Sequence, residues 1–247
     1  KDVNISLTRY FDGEVTSELS SKRIRSKRDL EFKFNGLDLI YDFDLNKVKS
    51  LANNSLSNRI GGTTLAITND NYAILLIQGH ANMQNPGKYI PSGSGSMDFA
   101  DTKGCKTLQE FLIKGIEREL NEESSAGFAI KETKLIGYGR IIERVTVPEF
   151  FGVTYLTCSR DELQEQFDIK NKERKIGFVD DLIFVPLNEL DEFIEKNKAD
   201  ISLQLLIYKE VLWFTKRPFL IRFAHIDNLG VKASANLLKL VDIYCIS

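Results

Sequence analysis

Three glutamates follow an arginine in the run Arg118-Glu119-Leu120-Asn121-Glu122-Glu123. On a helix, Glu119, Glu122 and Glu123 fall at i, i+3 and i+4, so three carboxylates crowd one face within about one turn. Like charges that close repel one another unless something cationic compensates them. Carboxylate oxygens suit a hard divalent cation, and Mg²⁺ is the usual choice where phosphate oxygens complete its shell. The bland alternative is a solvated acidic stretch of helix. Two more residues at fixed offsets argue against it: Gly104 is followed after five residues by Glu110, and Glu110 after seven by Arg118. A merely solvated face has no reason to keep those partners.

Gly, five residues, Glu, seven residues, then Arg-Glu-apolar-any-Glu-Glu is the body of the Nudix box, and residues 104–123 resemble the Nudix hydrolases at these positions. The resemblance implies an α+β fold, the Nudix-type α/β/α sandwich around a mixed sheet. It implies a pyrophosphohydrolase that cuts a nucleoside diphosphate linked to another group X, by attack of water on phosphorus. Mg²⁺, or Mn²⁺ in its place, would screen the diphosphate, lower the pKa of bound water and orient it. Carried onto matching positions, Glu122 and Glu123 are metal ligands. Glu119 is a third ligand or the base nearest the nucleophilic water. Arg118 orients the cluster, with Glu110 as its expected partner, and Gly104 and Glu110 are structural. For the Arg118–Glu110 pair a buried ion pair with no metal beside it stands as the alternative.

The chain departs from the family pattern twice. A Pro-Gly-Gly turn normally runs straight into the box. Here Pro91 precedes Ser92-Gly93-Ser94-Gly95-Ser96, and Gly104 follows eight residues after Ser96. Either the loop carries an insertion, or Gly93 and Gly95 approach the phosphates and Gly104 matches by accident; glycine is what such an approach needs. The family also expects Gly two residues after the last Glu. This chain has Ser125, and Gly127 is expected to cap the helix. Arg140 and Arg144, on the strand after the box, are candidates to line a substrate cleft, as against a solvated strand face. Glu173, Asp180 and Asp181 are candidates for a further acid, each more readily read as a surface residue.

The elements that must position these residues come from hydrophobic period. Leu108, Leu112, Ile116 and Leu120 step by four, which predicts a helix over 108–123 with its apolar stripe turned from the carboxylates. Thr63–Thr68 and Tyr72–Ile77 flank Asn69-Asp70-Asn71 as a hairpin. Strands are expected at 134–144, 150–158 and 180–186, helices at 187–196, 203–215 and 233–243, and a strand at 218–223. In residues 1–58, Val3–Leu7, Leu30–Phe34 and Leu37–Tyr41 alternate like antiparallel strands. The organisation expected is an N-terminal β-rich extension (1–58), a catalytic domain (59–196) and a C-terminal extension packed on the core (197–247).

The whole chain bounds the rest. Its 247 residues are 43% hydrophobic with a net charge of −2, enough for one sizeable core and no general argument for nucleic acid or anionic membrane. Lys22–Arg28 is a basic cluster without interleaved aromatics, which reads as a solvated loop more readily than as a nucleic-acid grip. Apolar runs such as Ala73–Ile77 are far short of the ~20 residues of a membrane span. Cys105, Cys158 and Cys245 are widely spaced and form no metal or disulfide pattern. With no leader-like opening segment, a cytoplasmic protein is expected. The expected partner is a small nucleoside diphosphate derivative, with no membrane partner and room for a homodimer. A nucleotide-derivative sensor that binds without turnover is the alternative function.

Overall fold

The computed structural model describes residues 4–28, 31, 33–51, 56–79, 86–141, 147–173, 179–214, 221–222 and 242–245. The chain divides into two compact units: residues 1–60, 138–149 and 220–244 form one, and residues 61–137, 150–219 and 245–247 the other. The segment from 197 onward, expected as a single extension, is therefore shared between them.

In the first unit α1 (Tyr10–Glu14) begins where the Asp12 carboxylate accepts the Arg9 N–H at 2.7 Å. The strands β1 (Arg23–Arg25) and β2 (Lys33–Asn35) pair antiparallel, with Ile24 opposite Phe34. Then come the helical turn α2 (Leu37–Ile40) and the short antiparallel pair β3 (Tyr41–Asp42) and β4 (Lys47–Val48). Two strand expectations fail here. Residues 4–9 have no regular structure, and 37–40 is a helical turn. Ile40 and Tyr41 are adjacent and both buried, which a strand burying one face does not allow. The basic cluster lies on β1 and the turn after it, and Arg23, Ile24 and Arg25 are all exposed. Later in the chain β12 (Ile221–Arg222) pairs antiparallel with β13 (Asp242–Cys245). The closing helix expected at 233–243 lies outside the described residues except for Asp242 and Ile243, which are in β13.

The second unit is built on β5 (Gly61–Ile67) and β6 (Tyr72–Gln78). Their turn closes with the Thr68 N–H on the Tyr72 carbonyl at 2.9 Å, and Asn71 takes φ 65°, a left-handed conformation that asparagine tolerates. Around them the sheet order is β11 (Val179–Pro186), β6, β5, β10 (Val147–Leu156), β9 (Ile130–Ile141); residues 130–137 and 150–156 of the last two belong to this unit. Two short strands adjoin, β7 (Tyr89–Pro91) on β6 and β8 (Gly93–Ser96) on β5. The pairs β11/β6, β6/β7 and β5/β8 are antiparallel, and Tyr89 makes a parallel bridge to Ile201.

Every residue of β5 is buried, so both faces of the sheet are covered. One face packs Ala66, Ile74 and Leu76 with Leu120 of helix α3 (Leu108–Ser124) and Leu163 and Phe167 of helix α4 (Arg160–Glu173). On the other face Phe151 meets Tyr208 of α6 (Leu203–Phe214) edge-on at 5.4 Å. The Tyr208 hydroxyl donates to the Thr63 carbonyl at 2.5 Å and accepts the Gly152 N–H at 3.2 Å. A short helix α5 (Leu190–Lys196) completes the unit, packed on β11 and α6. The result is the α+β arrangement of helices on both sides of a sheet. No helix among the described residues is long and apolar enough to cross a membrane.

Helix α4 was not foreseen, although its start is written in the chain. Ser159 and Glu162 cap each other: the Ser159 N–H donates to Glu162 Oε2 at 2.8 Å, and the Glu162 N–H to Ser159 Oγ at 3.4 Å. The Gly/Ser-rich run 92–96, read as a loop, is largely strand β8.

Candidate functional site

Helix α3 turns Leu112, Ile116 and Leu120 into the core, each at most 1% exposed, which leaves Arg118, Glu119, Glu122 and Glu123 for the far side and its rim. Its first turn is fixed by a capping box. The Glu110 N–H donates to Thr107 Oγ1 at 3.2 Å, while Glu110 Oε2 accepts the N–H groups of Lys106 at 2.6 Å and Thr107 at 3.3 Å. Glu110 thus caps the helix, and the groups that hold Arg118 are others. Gly104, at φ 85° in the turn before the helix, has open space where a Cβ would be, so its backbone conformation is what calls for glycine.

Strand β8 lies against this helix at a distance only glycine permits. A Cβ on Gly93 would collide with the backbone of Glu119 and Leu120, and one on Gly95 with the Glu119 carboxylate. Between them the Ser94 N–H donates to Glu123 Oε2 at 2.8 Å. Gly93 and Gly95 therefore set helix against strand and leave room for the acidic side chains.

Arg118 is held from several sides. Its Nε donates to both carboxylate oxygens of Asp101 at 3.2 Å, and Nη2 to Asp101 Oδ2 at 3.1 Å and to the Ser96 carbonyl at 3.0 Å. Nη1 bridges Glu119 Oε1 at 2.8 Å and Glu122 Oε2 at 3.2 Å. Asp101, with a side chain only 6% exposed, is the residue the sequence reading missed. It sits in the 3-10 turn Phe99–Thr102, where Oδ2 also accepts the Asp98 N–H at 2.9 Å. The signal was the pair Asp98-x-x-Asp101, a capping pattern just ahead of the box.

Burial governs the charges here. It pushes Glu123 up to about 8 despite the Ser94 N–H, with Glu119 and Glu122 adding to the shift. Glu119 is also raised, chiefly by burial, although Arg118 works against that. Burial disfavours the Arg118 charge, but its hydrogen bonds to Asp101 and the charge of Glu119 outweigh that and hold the guanidinium protonated. A buried carboxylate raised this far lacks a compensating cation. The donor set, all carboxylate oxygen, fits a hard divalent ion such as Mg²⁺ or Mn²⁺. As the side chains stand, no three acidic, cysteine or histidine groups among the described residues close on a common point. A cation binding here competes with Arg118 Nη1 for oxygens of Glu119 and Glu122.

The other expected residues fall elsewhere. Arg140 belongs to the first unit, where its Nη1 donates to the Lys49 carbonyl. Arg144 and the side chain of Glu173 lie outside the described residues. Asp180 and Asp181 are exposed on β11, and Asp181 Oδ1 accepts the Leu182 N–H at 2.8 Å. Helix α3 ends at Ser125, which takes the left-handed conformation (φ 63°), so the cap is not Gly127; the Gly127 N–H instead donates to Asn121 Oδ1 at 3.2 Å. Cys105 and Cys158 are free thiols.

No protein-family model and no curated protein matches the chain. Among solved structures it is similar to a Nudix hydrolase from Alicyclobacillus acidocaldarius at 10% identity, covering 63% of this chain and 91% of that one with a TM-score of 0.43. It is similar also to a Nudix hydrolase from Nitrosomonas europaea (12%, 64% and 90%, TM-score 0.41). A MutT protein from Methanosarcina mazei Go1 gives 12%, 64% and 96% with a TM-score of 0.39.

Proposed function

We propose that the chain is a Nudix-type pyrophosphohydrolase, which hydrolyses the diphosphate of a nucleoside diphosphate joined to another group, with Mg²⁺ as its cofactor and Mn²⁺ as a substitute. The observation that carries this reading is the arrangement of Arg118, Glu119, Glu122 and Glu123 within about two turns of α3 beside the glycine strand β8. Glu122 and Glu123 would hold the cation, with Glu119 as a third ligand or as the base that takes a proton from the attacking water. The cation, when bound, supplies positive charge to the diphosphate and acidifies water. Arg118 orients Glu119 and Glu122. Gly93 and Gly95 keep β8 bare beside the acids, so that backbone amides can approach phosphate oxygens. A small nucleotide derivative is the proposed partner and the cytoplasm the proposed compartment, the latter on the spacing of three cysteines.

One observation favours a second reading, a sensor that binds a nucleotide derivative without turnover. Arg118 already supplies charge to Glu119 and Glu122, so the cluster is partly balanced from within. Phosphate release from a panel of nucleoside diphosphate derivatives, by wild type and Glu123→Gln with and without Mg²⁺, separates the two. The hydrolase reading expects Mg²⁺-dependent turnover that falls at least about 100-fold in the variant, mainly in kcat. Binding of a derivative with no turnover on any member of the panel would establish the sensor instead.

A further inference from the structure

The buried aspartate behind the arginine does more than hold a loop. We infer that Asp101 is a positioning residue for the acidic helix: it fixes and charge-balances Arg118, so that Glu119 and Glu122 stay available to a divalent cation. The part about the cation rests on the proposed function; the hold on Arg118 does not.

The geometry gives the reasons. Asp101 takes the whole Nε side of the guanidinium, with three donor–acceptor distances of 3.1–3.2 Å, while the Ser96 carbonyl takes part of Nη2. Only Nη1 is left to reach Glu119 and Glu122. Asp101 is itself anchored by the Asp98 N–H and sits in a 3-10 turn whose carbonyl at Ala100 accepts the Lys103 N–H at 3.1 Å. The turn is therefore a stiff post and not a free loop. If the Asp101 charge is removed, the guanidinium charge is left to Glu119 and Glu122 to balance. It would bind them more tightly and repel a divalent ion. Partners of this kind, which orient metal-ligating carboxylates without touching the metal, are worth about 10–100-fold in affinity. The residue expected in this role, Glu110, is engaged in capping the helix, so the job falls to a residue 17 positions before Arg118.

The test is a double-mutant cycle on the full chain, with Mn²⁺ as the probe and the free-ion electron paramagnetic resonance signal as the readout. Asp101→Asn keeps the shape of the side chain and removes its charge, and should weaken Mn²⁺ binding by about 10-fold. Arg118→Gln removes the competing cation. In that background Asp101→Asn should change nothing further, because there is no guanidinium left to balance. A merely structural role would give the same loss in both backgrounds, and that result, or wild-type affinity in Asp101→Asn, would overturn the inference. A second measurement serves whether or not the protein binds metal. The Arg118 Nε proton should be protected from solvent exchange in the wild type and exposed in Asp101→Asn. If the wild type binds no Mn²⁺, the proposed function fails on its own. The hold of Asp101 on Arg118 then stands on loss of that protection and falls if the proton stays protected.

Discussion

Glu123 is where the energetics of single residues are most exposed to experiment. In the metal-free protein its carboxyl is pushed up to about 8 by burial, against an ordinary value of 4.5. A folded-state value above the unfolded one means the folded protein binds the extra proton. The stability this contributes is complete below pH 4.5 and is lost as pH rises through about 8. In the presence of a chelator, the melting temperature should fall between about pH 5 and pH 9, and Glu123→Gln should flatten that fall because the amide never ionises. Excess Mg²⁺ should also oppose it, since a bound cation favours the charged form. A pH profile that is unchanged by both the substitution and Mg²⁺ would show that Glu123 is not the group responsible.

At the scale of elements, the contact between α3 and β8 separates two glycines by consequence. Gly93 faces helix backbone, which cannot step aside, whereas Gly95 faces the flexible end of Glu119. Gly93→Ala should therefore destabilise the fold by about 1–3 kcal/mol, a drop of several degrees in Tm. Gly95→Ala should melt near the wild type yet lose turnover or metal affinity, because Glu119 has to move. Thermal melts together with Mn²⁺ titrations distinguish the two patterns. How much of this was legible follows from the type of signal. The Leu112-Ile116-Leu120 stripe and the Asn69-Asp70-Asn71 turn are local, strongly periodic or conformationally specific, and both elements stand where the chain predicts them. Strand β8 was not legible, since Gly-Ser-Gly-Ser has no strand preference of its own and pairs only because β5 offers an edge. Helix α4 is legible through the reciprocal cap of Ser159 and Glu162, a weaker signal than an apolar stripe. The Asp101–Arg118 pair exists only once a 3-10 turn folds back on α3, so no spacing rule reaches it.

Over the whole molecule, the second unit depends on contacts between residues far apart in the chain. The Tyr208 hydroxyl reaches the Thr63 carbonyl across 145 positions, and the ring packs against Phe151. Tyr208→Phe keeps the ring and deletes the hydroxyl, so buried backbone groups at Thr63 and Gly152 lose a partner. A loss of about 1–2 kcal/mol is expected, seen in chemical denaturation at unchanged m-value, with Mg²⁺ affinity untouched. The same logic explains why the organisation of the chain was harder to read than its box. Within 197–247, α6 falls in the second unit and β12 in the first, a division that no spacing in the chain marks.

A guanidinium carries five N–H vectors, and at Arg118 each has a taker. Nε points to Asp101, Nη2 to Asp101 and the Ser96 carbonyl, and Nη1 to Glu119 and Glu122. No proton is left over to greet an arriving anion, so this arginine is not available as a finger for a phosphate. Lysine, a point charge with three donors, could not span the same set of acceptors. An anionic guest beside α3 has to be neutralised by something other than Arg118.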